Sequence, residues 1–141
     1  MRNNREYQIC KNIATYMRLQ YPAVIFHFDL AGLNLSRAQA GMMKMIQGGR
    51  GWPDLFIAEP RNEYNGLFIE VKVEDTKLTT RGGDHATPHI AEQWECIQNL
   101  QGQMYKACFG IGFDECKKII DAYLLDYIDH SDLHEISNKY F

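Results

Sequence analysis

The 141-residue sequence lacks nearly every feature that would tie it to a membrane, a secretion route or a covalent scaffold. Its four cysteines, Cys10, Cys96, Cys108 and Cys116, form no CxxC pair and fall inside apolar periodic segments. They read as buried, reduced thiols in a reducing compartment rather than as zinc ligands or disulfides. No run approaches the roughly 18–20 consecutive apolar residues of a membrane span. The segment Met1-Arg2-Asn3-Asn4-Arg5-Glu6 lacks the apolar core of a secretory signal. The expectation is a soluble chain in the cytoplasm, with no membrane partner. There is no internal repeat and no low-complexity tract. His85 and His89 are four apart, but Pro88 lies between them and opens a helix, so they read as a loop pair rather than a metal-binding helix face.

What is present fits one folded domain. A chain of this length holds a single core without needing a metal or disulfide staple. Its composition, 45% hydrophobic and 23% charged, excludes a mostly disordered protein. The net charge of −3 is unevenly spread. Acids concentrate after Asp114, and residues 129–141 form an acidic tail. Between Asp29 and Asp54 there is no acid at all, only Arg37, Lys44 and Arg50. A local basic stripe of that kind keeps a nucleic-acid partner open despite the total.

The periodicity predicts a helix over 4–20 with Ile9, Ile13, Tyr16 and Met17 on one side. A strand follows over 24–29, then a short helix capped by Ser36. Strands at 54–58 and 67–73 are joined by a short, turn-rich link and pair as an antiparallel hairpin. A long polar loop covers 74–87, and Thr87-Pro88 opens a helix that stops near Gly102. A strand over 104–111 and a helix over 114–127 complete the order α-β-(α)-β-β-α-β-α, a mixed α/β sheet flanked by helices. The cluster Met42, Met43, Met45 reads as core or as a dimer contact.

The chemistry concentrates in Gly51-Trp52-Pro53-Asp54 and Glu70-Val71-Lys72. On a strand Glu70 and Lys72 share one face while Ile69, Val71 and Val73 take the other. Asp54 begins the partner strand, about 5 Å away in a hairpin. Pro53, with no N–H to donate, suits the first position of a strand. Glu6 lies three residues before Ile9 and seven before Ile13, on the stripe the first helix turns inward. If Glu6, Asp54 and Glu70 converge, each close pair repels by roughly 4 kcal/mol at an effective dielectric near 20. Oxygen-only ligands favour Mg²⁺ or Mn²⁺ as the relief, with the Val71 backbone carbonyl as a further oxygen. Such a site suits phosphodiester hydrolysis, with Lys72 placed to orient or deprotonate water and to offset developing charge. Three local alternatives stand beside this reading. Glu6 could close a capping box with Asn3, Glu70 and Lys72 could be a cross-strand ion pair, and Asp54 could cap a turn.

This constellation resembles the PD-(D/E)XK nuclease superfamily, whose core has the same α-β-β-β-α-β order. More narrowly it is similar to the VRR-NUC family, in particular its small stand-alone members from phages and bacteria. The likeness runs from Glu6 to about Leu124 and rests on Gly51-x-Pro53-Asp54-Leu55, on Gly66 to Lys72, on Gln93-Trp94 and on the stretch 105–124. It implies a restriction-endonuclease-like fold over 1–128. It also implies divalent-metal-dependent cleavage of DNA, often branched, in repair or recombination, leaving 5′-phosphate and 3′-hydroxyl ends and frequently carried out by a homodimer. Carried over by residue, Asp54 and Glu70 are catalytic metal ligands, Glu6 and the Val71 carbonyl complete the metal set, and Lys72 and Gln93 are catalytic. Ile90 and Ile97 flank Gln93 on the same helical side, and an ordinary amide at a helix margin is its other reading. Arg37, Lys44, Arg50, Lys77 and Arg81 are the expected DNA contacts at the mouth of the site. Trp52 either stacks on a base or packs beneath its own loop. The segment 76–88 is longer than the usual family link. The alternative function is a DNA-binding module of the same fold that does not cut.

Overall fold

The computed structural model describes residues 2–29 and 33–125; the acidic tail and the Asn3 side chain lie outside its described parts. Eight elements follow in chain order: α1 (Arg2–Gln20), β1 (Phe26–Phe28), α2 (Arg37–Met45), β2 (Leu55–Ile57), β3 (Leu67–Lys72), α3 (Pro88–Gly102), β4 (Lys106–Ile111) and α4 (Gly112–Leu124). The sheet order is β1-β2-β3-β4, antiparallel across the first three strands and parallel between β3 and β4. The parallel step needs a crossover, and α3 supplies it.

All six residues of β3 are buried, as expected for a central strand covered on both faces. Leu67, Ile69 and Val71 face Ile9, Ile13 and Met17 of α1 and Ile119, Ile120 and Tyr123 of α4. Phe68, on the opposite face, packs with Ile90 and Ile97 of α3 and with Ala107 and Phe109 of β4. The alternation of side chains along β3 therefore aims Glu70 and Lys72 at the α3 layer. On the far side, Asp121 ties α4 to α1 by accepting hydrogen bonds from Tyr16 and Tyr21, with Lys117 on its other oxygen at 2.8 Å.

The caps explain where helices start. Ser36 and Gln39 form a reciprocal capping box at α2, and the Thr87 hydroxyl accepts from the Ile90 N–H ahead of Pro88 at α3. Two expectations change. The methionines of α2 do not enter the core: α2 has no buried residue, and Met42 and Met45 are exposed. The sequence shows α2 as amphipathic, but its apolar side is left largely exposed, with Met43 half-buried. The loop after β3 is more ordered than its polarity suggests. Leu78 is buried against the α3 side, Thr79 bridges His85, and Ala86 N–H bonds back to the Leu78 carbonyl.

Candidate active site

The register that sets Leu55 against Ile69 brings Asp54 beside Glu70 at the end of the β2–β3 ladder. Asp54 accepts a hydrogen bond from the Val71 N–H through Oδ2 at 2.8 Å. Continued by one more pair, the same register places Pro53 opposite Val71, and Pro53 has no N–H to offer the Val71 carbonyl. The proline thus leaves a backbone oxygen without its ladder donor next to the acids. Gly51, at φ +78°, lets the preceding loop lie against α3; a Cβ there would meet the Glu92 carbonyl oxygen at 2.6 Å.

Glu6 reaches the same place from the first turns of α1. One carboxylate oxygen from each of Glu6, Asp54 and Glu70 lies within 4.8 Å of the others. Asp54 and Glu70 are buried and Glu6 is half-buried. Lys72, equally buried, places Nζ 3.7 Å from Glu70 Oε1 and 6.0 Å from the centre of the Phe109 ring. Gln93 is buried on α3 and donates Nε2 to Glu70 Oε1 at 2.7 Å. The margin reading of Gln93 does not fit this position.

Electrostatics follow from the crowding. Burial first, and then the Glu6 charge, push the Asp54 carboxyl up to about 6. Burial and the Asp54 charge push Glu70 well above the ordinary carboxylate range, against the opposing pull of Lys72. The neighbouring Cys10 thiol is also pushed upward, by burial and then by Asp54, Glu6 and Glu70, so it offers no thiolate at neutral pH. All four cysteines are free; Cys108 and Cys116 are buried, whereas Cys10 and Cys96 are only half-buried, against the expectation of four buried thiols. Glu70 Oε2 is buried and receives no N–H or O–H from a neighbouring donor, and the hydrogen bond between the Asp54 and Glu70 carboxyls exists only while one of them keeps its proton. Three gathered carboxylates, one of them with an orphaned oxygen, and no thiolate make a donor set that fits a hard divalent cation. Glu6, Asp54, Glu70 and the Val71 carbonyl are the groups that could hold it.

Glu6, Asp54, Glu70, Lys72 and Gln93 line a cleft of ≈ 920 Å³ together with Asp29, Lys44, Gln47, Arg50, Trp52, Thr87, His89 and Glu92. Of the five expected basic contacts, Lys44 and Arg50 border it, and Arg50 lies 3.7 Å from Glu92. Arg37, Lys77 and Arg81 are exposed but are not among its lining residues. Arg37 begins α2, about 10 Å of helix away from Lys44. Beside Lys77 the buried Leu78 takes the inward position, and Arg81 sits at the solvent end of the turn. Trp52 is half-exposed with its ring edge-on to Phe68 at 5.1 Å, so it packs on the sheet and still borders the cleft. Asp29, Gln47, Thr87, His89 and Glu92 were not among the expected site residues. His89 lies in α3 and not in the loop where it was expected, because Pro88 opens the helix one residue earlier; it stands four residues before Gln93 and therefore on the same helical face.

A solved structure of a VRR_NUC domain protein matches 84% of this chain and 87% of its own, at a TM-score of 0.60 and 25% sequence identity. The chain has the VRR-NUC fold. No family model matches the sequence, and no curated protein does. The likeness is one of architecture, a mixed four-stranded sheet between helical layers. No described helix is long and apolar enough to cross a membrane.

Proposed function

We propose that this protein is a divalent-metal-dependent endodeoxyribonuclease, and the observation that carries the reading is the convergence of Glu6, Asp54 and Glu70 beside Lys72 in one cleft. A pure binding surface for DNA gains nothing from buried acids that repel phosphate. Held by Glu6, Asp54, Glu70 and the Val71 carbonyl, Mg²⁺ or Mn²⁺ supplies Lewis acidity toward a phosphodiester. Lys72, buried with its ammonium beside Glu70, orients the attacking water and offsets charge that develops on the phosphate oxygens. Lys44 and Arg50 hold the backbone of the strand along the cleft rim, and Arg37, Lys77 and Arg81 act, where the duplex extends further, as outlying phosphate contacts. Gln93 steadies Glu70 from the α3 side.

The resemblance extends this proposal to branched DNA, such as four-way (Holliday) junctions or flaps, to 5′-phosphate and 3′-hydroxyl products, and to a homodimer. Exposed Met42, Met45 and Ile46 provide an apolar surface for the last. The test is incubation of labelled four-way junction, flap and linear DNA with Mg²⁺, beside Asp54→Ala and Lys72→Ala. Metal-dependent cutting by the wild type, lost in both variants while Lys72→Ala still binds DNA, supports the assignment. Cleavage that survives in both variants overturns it, and tight binding of every DNA without any cutting returns the chain to the class of non-cleaving modules.

A further inference from the structure

The Gln93 amide has two N–H bonds and two acceptors within reach. One is Glu70 Oε1 at 2.7 Å, and the other is His89 Nε2 at 3.2 Å. Both contacts involve the same nitrogen, so both amide hydrogens are committed and the carbonyl end is turned away, with Gln93 Oε1 buried and unpartnered. Once Glu70 is ionised, as it must be to hold a cation, a flipped amide would set its oxygen against the carboxylate. For His89 to accept at Nε2, its imidazole must carry its hydrogen on Nδ1. The chain of bonds therefore runs His89 Nε2, Gln93 Nε2, Glu70 Oε1, and it leaves Glu70 Oε2 as the oxygen with no N–H donor.

We infer that His89 is a positioning residue for the metal site, acting through Gln93 to fix which oxygen of Glu70 is presented to the cation. The inference rests on the nuclease reading for its purpose but not for its geometry. Groups that orient a metal ligand from behind commonly change affinity or activity by about 10–100-fold when removed. His89 is exposed in the first turn of α3, and no buried packing depends on it, so its substitution leaves the fold intact.

Two measurements test it. In the metal-free full chain, at a pH alkaline enough to ionise Glu70, ¹⁵N NMR of the histidine rings is expected to find the His89 Nδ1–H tautomer, and Gln93→Leu is expected to abolish that preference. A His89 ring protonated at Nε2 in the wild type overturns the inference. In Mn²⁺ titrations without DNA, His89→Ala is expected to weaken affinity about tenfold. His89→Gln, which restores an acceptor at helical spacing, is expected to recover most of that loss, and His89→Leu is not. Equal affinity in wild type and His89→Ala, or equal loss in His89→Gln and His89→Leu, contradicts it. Failure of the wild type to bind Mn²⁺ at all would sink the nuclease reading instead, with the tautomer still deciding the His89 link.

Discussion

Asp54 and Glu70 are where single side chains set the behaviour of the whole chain. Each carboxyl has a folded-state affinity for protons above its unfolded one, so the native state binds more protons in the window between them. For Asp54 that window runs from 3.8 to about 6. Stability contributed this way is complete below the lower value and is lost as pH rises through the upper. The metal-free protein is therefore expected to melt at progressively lower temperature as pH climbs from 4 to 7. Added Mg²⁺ should reverse the trend at the neutral end, because it binds only the ionised, folded cluster. Thermal melts across that range, with and without the ion, check both signs; a metal-free melting temperature that rises steadily with pH contradicts them. Lys72 acts differently, since it offsets part of the acids' charge without binding a cation. Lys72→Ala is expected to cost about 10²–10⁴-fold in single-turnover cleavage. Its metal affinity should stay within severalfold of wild type, by titration of the same preparation.

Among the elements, α3 carries more than its share, because it covers the sheet and also closes the site from one side. Its start depends on the Thr87 hydroxyl, which satisfies the Ile90 N–H at 3.1 Å. Thr87→Ala should lower stability by about 1 kcal/mol in denaturant melts. The loop before β2 meets α3 at Gly51, where both the positive φ and the 2.6 Å approach to Glu92 exclude a side chain. Gly51→Ala should cost about 1–3 kcal/mol, and should also weaken metal binding by shifting Asp54; unchanged melting and metal affinity would show that the loop has slack. The sheet, its hairpin and the helix starts were legible in the sequence because period-two alternation, Ser36, Thr87 and Pro88 are local signals. The exposure of α2 was not, because amphipathic spacing states that one face is apolar without stating what covers it. The reach from α3 to Glu70 was half legible. Gln93 stood out between Ile90 and Ile97, whereas His89 drew attention toward His85, its neighbour in chain, instead of Gln93, its neighbour on the helix.

At the scale of the molecule, an acidic protein presents an acid-lined cleft that would repel DNA without a cation. Affinity for DNA is therefore expected to depend jointly on divalent metal and on the Lys44–Arg50 rim. The slope of log affinity against log salt should fall by about 1 for each of Lys44→Ala and Arg50→Ala. It should change less for Arg37→Ala or Arg81→Ala, whose side chains lie outside the cleft; fluorescence anisotropy at several salt concentrations measures this. The three acids come from α1, from the residue just before β2 and from the middle of β3. The sequence suggested their meeting through an acid on an inward helical stripe and a carboxylate on a central strand. Only the packing of α1 across the sheet fixes that they share one point. Calorimetric titration of the metal-free chain with Mn²⁺ tests that point most directly. Saturable binding is expected in the wild type, lost in Asp54→Ala and Glu70→Ala and weakened in Glu6→Ala. Binding that is absent in the wild type, or undiminished in Asp54→Ala, would contradict it.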